Sequence, residues 1–163
     1  MMTLSEVTPQ RNQESKASTS LFISYSKHDK DFADTLQRRL KPLVRQGKVE
    51  TFYDQDLLAG ADFDAEIKRR LGEADIILLL VSPDFLATDY IMDVEVPLAR
   101  QRYEAGQASM IPIILRPGDA WQDEPALKDL NALPNKGKPI SHYPHADDAW
   151  NEVVNKIKEK VDN

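Results

Sequence analysis

The chain has 163 residues, a net charge of −6 and no cysteine. That length holds one ordinary domain with a sizeable core, and the acidic balance argues against a nucleic-acid-binding role, which wants a basic face. Without cysteine there are no disulfides, no thiol catalysis and no cysteine metal site, while the redox compartment stays open. The 21 basic residues are scattered, and the tight pairs Arg38-Arg39 and Arg69-Arg70 read as solvated helix faces. The longest apolar run is far too short to cross a bilayer, and the N-terminus lacks the apolar core of a signal peptide. The expectation is a cytoplasmic protein with neither membrane nor nucleic acid among its partners.

Residues 1–19 are rich in Ser, Thr, Gln, Glu and Asn and poor in large apolar side chains. They cannot bury enough surface to offset their ordering entropy, so a disordered tail is expected, with one domain over residues 20–163. Leu21-Phe22-Ile23-Ser24-Tyr25 reads as a first strand. Phe32, Leu36, Leu40 and Leu43 recur at helical spacing and predict a helix over residues 29–46, with Pro42 kinking it or ending its regular part and Gly47 as its stop. Residues 49–53 form a second strand, followed by a loop over 54–62 that Gly60 breaks. Phe63, Ile67 and Leu71 space out a second helix.

Ile76-Ile77-Leu78-Leu79-Leu80-Val81 is apolar throughout, as a strand covered on both faces should be. Ser82 and Pro83 then suit an N-cap and a first helical position, and a helical segment is expected to run to about Ala105, with Gly106 beyond it. A fourth strand is expected over residues 110–115, where Pro112 cannot donate to a ladder and so points to a strand start or an edge. After a loop with helical turns, Pro139-Ile140-Ser141 is a weak fifth strand. Asp147 opens a last helix with Trp150, Val153, Val154, Ile157 and Val161 on one face. Trp150 is a core residue; Trp121, in a polar loop, is either a partner contact or a packing anchor.

Strand and helix alternate about five times, which predicts an α/β fold: a doubly wound parallel five-stranded sheet with helices on both faces. The flavodoxin-like strand order 2-1-3-4-5 puts the switch point between strands one and three, beside Ser24-Tyr25-Ser26 and Ser82-Pro83, where ligands bind in such sheets.

Phe22-Ile23-Ser24-Tyr25-Ser26 with Asp29 resembles the first box of Toll/interleukin receptor (TIR) domains. Asp54-Gln55-Asp56-Leu57-Leu58-Ala59-Gly60 resembles the loop after their second strand, and Ser82-Pro83-Asp84-Phe85-Leu86 through Tyr90 to Glu95 the segment that carries their essential glutamate. The resemblance is greatest to bacterial members and covers about residues 21–161. It implies one of two functions. Some members are adaptors that only assemble with other TIR domains; others cleave NAD between nicotinamide and ribose, several of them in anti-phage defence once a partner module or filament gathers their domains. NAD is then a substrate, and no separate cofactor is expected.

Loss of nicotinamide leaves an oxocarbenium-like ribose, and the leaving group, already cationic in NAD, needs no proton. One carboxylate against the ribose stabilises that charge. By family position it is Glu95, with Asp93 as the competing carboxylate. Some relatives hold the glutamate one residue nearer the aromatic, where this chain has Val94, which fits an apolar stripe with Ile91 and Leu98. Pro97 starts the helix late or kinks it at the rim, both of which alter the aim of Glu95, or else it is a tolerated irregularity. Tyr90 holds the position of an aromatic that stacks on substrate; its other reading is burial under the loop. Tyr25, Ser26, Lys27 and His28 follow strand one, and the first three are expected substrate contacts, with His28 a surface residue. Asp54 and Asp56 divide between domain contact, cover of the site and local loop geometry; Asp56 is the one carried forward as a substrate contact. No His-Asp-Glu group has metal spacing, and no Gly-rich phosphate turn is present.

The enzyme reading therefore expects an NAD nucleosidase that self-associates. The rival is a scaffold acting through the 54–60 loop. A phosphoacceptor receiver domain shares the sheet order but needs paired acidic residues after strand one, where this chain has Ser24-Tyr25-Ser26.

Overall fold

The computed structural model describes residues 18–56, 62–118 and 120–163. Four parallel strands, β1 (Thr19–Ser24), β2 (Val49–Tyr53), β3 (Ile76–Val81) and β4 (Ser109–Ile114), lie in the order β2-β1-β3-β4. Helices α1 (Lys30–Arg45), α2 (Phe63–Glu73), α3 (Pro83–Leu86), α4 (Val96–Glu104), α5 (Ala120–Asp123) and α6 (Ala146–Asp162) surround them. Among the described residues no helix is long and apolar enough to cross a membrane. The expected tail falls, over residues 1–17, outside the described residues, as does Gly60.

Strand alternation divides the core in two. Leu21, Ile23, Leu78 and Leu80 point to the face covered by Leu36 and Leu40 of α1 and by Trp150, Val153 and Ile157 of α6. Phe22, Ile77 and Leu79 point to the other, covered by Ile67 and Leu71 of α2, Phe85 of α3 and Val96 and Ala99 of α4. Every residue of β3 is buried, as its unbroken apolar run requires. Each such Leu or Ile contributes ~1.5–3 kcal/mol relative to exposure. Trp121 is a packing anchor in the second cluster.

Three expectations need correction. Residues 139–141 are not a fifth strand: Ile140–His142 is a turn of 3-10 helix, since Pro139 has no N–H for a ladder. The place beside β4 is taken by Leu133, whose N–H donates to the Pro112 carbonyl and whose carbonyl accepts from Ile114. Pro112 does lie on an edge strand. Second, Pro42 does not end α1, which continues to Arg45. The lost donor falls on an exposed face, where the freed carbonyl is open to solvent, while buried Leu43 holds the next turn. Gly47 then closes the helix in the left-handed region, at φ 72°. Third, the segment after Ser82 is not one helix but α3, a wide π turn over Ile91–Glu95, and α4.

Candidate functional site

The sheet register brings the ends of β1 and β2 together. Ile23 pairs with Tyr53, so Ser24 and Asp54 are neighbours at the carboxyl rim, and Ser24 pairs on its other side with Leu79. Period-two alternation puts Ser24 on the side of Phe22 and Asp54 on the side of Phe52, the face covered by α2 and α4. Both polar side chains are buried, and Asp54 is 0% exposed.

Glu95 reaches the same place from above. Ser82 caps α3 by accepting from the Phe85 N–H at 3.0 Å, with Pro83 at the first turn, as the sequence predicts. The chain then enters the π turn, where the Val96 N–H bonds to the Ile91 carbonyl five residues back. Pro97 explains the wide turn: it has no N–H for the Asp93 carbonyl, so the α ladder is broken there and resumes beyond. The extra residue rotates the chain beyond it. Ile91 and Val96 become the inward apolar positions, and Glu95 turns inward beside them at 1% exposure. Val94 is only half-buried, which corrects its expected place in the core, and Asp93 faces solvent.

The Glu95 carboxylate accepts a hydrogen bond from Ser24 Oγ at 2.6 Å and lies against the carboxyl of Asp54. Asp54 Oδ1 accepts from the Tyr25 N–H at 3.3 Å, while its Oδ2 has no hydrogen-bond partner among the described residues. Burial pushes the Glu95 carboxyl above its ordinary range, against the pull of the facing Asp54 and of the Ser24 bond. Burial pushes Asp54 well above the carboxylate range, and the facing Glu95 adds to that push.

The other expected residues divide. Tyr90 is half-buried at the rim; its ring meets Phe63 at 5.4 Å and its hydroxyl donates to Asp64 Oδ1 at 2.7 Å. Burial first, and then that bond, push its hydroxyl upward, with Glu95 and Asp54 close enough to contribute. Asp56 is exposed just past Asp54, and Lys27 and His28 are exposed after β1. Ser26 is buried and occupied locally, accepting from the His28 N–H at 3.2 Å. The Tyr25 ring is not brought to Glu95. It points to the opposite face of the sheet, edge-on to Tyr53 at 6.4 Å, and only its backbone serves the site. Burial, then Asp56, raise its hydroxyl to about 12. Among the described residues no three metal-ligating side chains come together. A cavity of about 640 Å³ lies at the other end of the sheet, between the start of β4 and Lys156 and Lys160 of α6, far along the strands from Glu95.

Sequence reasoning missed a clamp that ties the rim together. Asp29, 2% exposed, accepts from Ser82 Oγ and from Arg116, whose guanidinium also reaches Asp84 at 2.8 Å. This joins the segment after β1 to those after β3 and β4. Asp29 stood out in the sequence, but Arg116 follows β4 with no motif around it. Asp54 was visible and undervalued; its place two residues after Phe52 is the signal that it turns inward.

The model of the TIR domain family matches residues 21–154. The chain is also 44% identical over 140 residues to the "Uncharacterized protein y4lF" of Sinorhizobium fredii (strain NBRC 101917 / NGR234). That match takes in 86% of this chain but 43% of the relative, so the chain spans less than half of that protein's length. A parallel β2-β1-β3-β4 sheet, a glutamate carried to its rim after β3 and a family match over most of the chain agree: this chain belongs to the TIR domain family.

Proposed function

We propose that this domain cleaves NAD between nicotinamide and ribose, releasing ADP-ribose or a cyclic isomer, with Glu95 as the catalytic carboxylate. The observation that carries this reading is the buried Glu95 carboxylate at the switch point between β1 and β3, fixed by Ser24. A carboxylate withdrawn from water acts strongly on a neighbouring positive charge. As the C–N bond breaks, the electron pair leaves with nicotinamide, and Glu95 stabilises the cationic ribose until water adds and sheds a proton, or until the adenine end closes on the same carbon to give the cyclic isomer. Tyr90, Asp56, Ser26 and Lys27 stand around that rim as substrate contacts, and Tyr25 contributes through its backbone.

Glu95 is 1% exposed, so substrate reaches it only when the rim near Asp56 and Tyr90 opens. That supports activation by self-association through TIR–TIR contacts or by a partner domain; the cytoplasm and anti-phage defence are the setting the family resemblance suggests. The same closed rim favours a second reading, a scaffold whose resting form needs no access to Glu95.

The test is nicotinamide release from NAD by the purified protein at high concentration, beside Glu95→Ala. Release that the variant loses by ~10²–10³-fold supports the enzyme. Equal release by both removes Glu95 from the reaction. No release by either, even with domains gathered by fusion to an oligomer, moves the assignment to the scaffold.

A further inference from the structure

We propose that Asp54 and Glu95 share one proton, held on Asp54 Oδ2 and donated to Glu95, so that Asp54 is the positioning residue that keeps Glu95 charged and aimed. This deepens the NAD-cleaving reading and, for its catalytic consequence, rests on it.

The geometry points to this from both sides. The two carboxyls are 0% and 1% exposed and lie against each other. Each is anchored to consecutive residues of β1, Glu95 to the Ser24 hydroxyl and Asp54 to the Tyr25 N–H. Asp54 Oδ2 is buried with no hydrogen-bond partner among the described residues. Two adjacent carboxylates without water cannot both ionise at low cost, and a proton between them satisfies that oxygen. Which of the two keeps it depends on their donors. Ser24 donates to Glu95 at 2.6 Å, the stronger bond to a charged acceptor, while Tyr25 donates to Asp54 at 3.3 Å. Burial raises both groups.

Among the described residues no Lys, Arg or His side chain pairs with either carboxyl: on α2, Lys68 bonds Asp64 at 2.9 Å and Arg70 lies over the Phe52 ring. From β1 and β2 the rings on the same face are Phe22 and Phe52, while the Tyr25 and Tyr53 rings pack on the opposite face. Asp56 comes next on the turn after β2, Tyr90 precedes the π turn, and Asp64 of α2 holds the Tyr90 hydroxyl. These groups are neutral or acidic. The pair at net −1 is the form matched to a single developing positive charge.

The test compares the wild type with Asp54→Asn and Asp54→Ala by thermal unfolding across pH 4 to 9 and by NAD cleavage. An amide offers Glu95 an N–H and keeps an oxygen for Tyr25, so it copies a protonated aspartate and not an ionised one. A group whose folded pKa is raised lends stability below its unfolded value, about 3.9 for aspartate, and loses it as pH rises through the folded value. The unfolding temperature of Asp54→Asn should therefore gain on that of the wild type from about pH 4 upward and then level. A difference that is flat in pH, or that falls, overturns the shared proton, whether or not the protein cleaves NAD. For positioning, Asp54→Asn should keep cleavage within about tenfold and lose the wild type's alkaline decline, while Asp54→Ala falls by more than tenfold. A stable Asp54→Asn with the expected pH gain but no cleavage beside an active wild type overturns the positioning role alone.

Discussion

Removing the Ser24 hydroxyl tests whether one bond holds Glu95 at the rim. Ser24 Oγ donates to Glu95 Oε1 at 2.6 Å, with both residues buried, so water cannot replace the donor. A hydrogen bond to a charged group contributes ~1.5–3 kcal/mol. In a chain of 163 residues that corresponds to a fall in unfolding temperature of roughly 3–12 °C for Ser24→Ala. The loss has a pH signature. Without its donor the Glu95 carboxyl is pushed further above its ordinary range, so the variant's deficit is small near the unfolded glutamate pKa of about 4.3 and grows as pH rises. The assay is urea unfolding followed by the fluorescence of buried Trp121 and Trp150, in a cycle of Ser24→Ala, Glu95→Ala and the double variant. The coupling energy should reach at least ~1.5 kcal/mol at pH 8. A coupling below ~0.5 kcal/mol, or a deficit that shrinks with rising pH, refutes the claim that this bond fixes Glu95.

Two further substitutions probe the frame around the site. Arg116→Ala leaves Asp29 buried with Ser82 as its remaining side-chain partner. Breaking a buried pair costs ~3–5 kcal/mol, and because the Arg116 side chain is 33% exposed, roughly 2–3 kcal/mol is expected in urea unfolding; a loss under ~0.5 kcal/mol would show that the clamp does not hold the rim. Gly137→Ala puts a Cβ 2.9 Å from the Trp121 ring at a backbone φ of 89°. Steric conflict and strain together should lower stability by ~2–4 kcal/mol and disturb the Trp121 fluorescence, whereas a melting temperature within a degree of the wild type would mean the ring yields freely.

Periodicity carried most of the fold. The apolar run 76–81 maps onto β3 residue for residue, and Ser82-Pro83 onto a capped helix start, because burial on both faces and cap chemistry are local properties. The fifth strand failed for a non-local reason. Ile140 looks strand-like alone, but the edge of β4 was already taken by Leu133, from a segment with no strand pattern. The site was legible in its parts and not in its assembly. Glu95 and Tyr90 came from the family resemblance, and Pro97 signalled an irregularity without its sense. The inward turn of Asp54 needs the β1–β2 register, which pairs residues about thirty positions apart. Arg116 joins Asp29 across 87 positions, a distance at which sequence spacing carries no signal.

The π turn changes how this glutamate should be counted along the chain. A helix with one residue more between its aromatic and its acid would, in α geometry, swing the acid about 100° around the axis. Here the widened turn at Ile91–Glu95 absorbs the added residue, and Glu95 still faces Ser24. Position in space is thus uncoupled from position in number. Ranking members of such a family by a fixed aromatic-to-glutamate interval would score this chain as lacking its acid, with Val94 in the expected column.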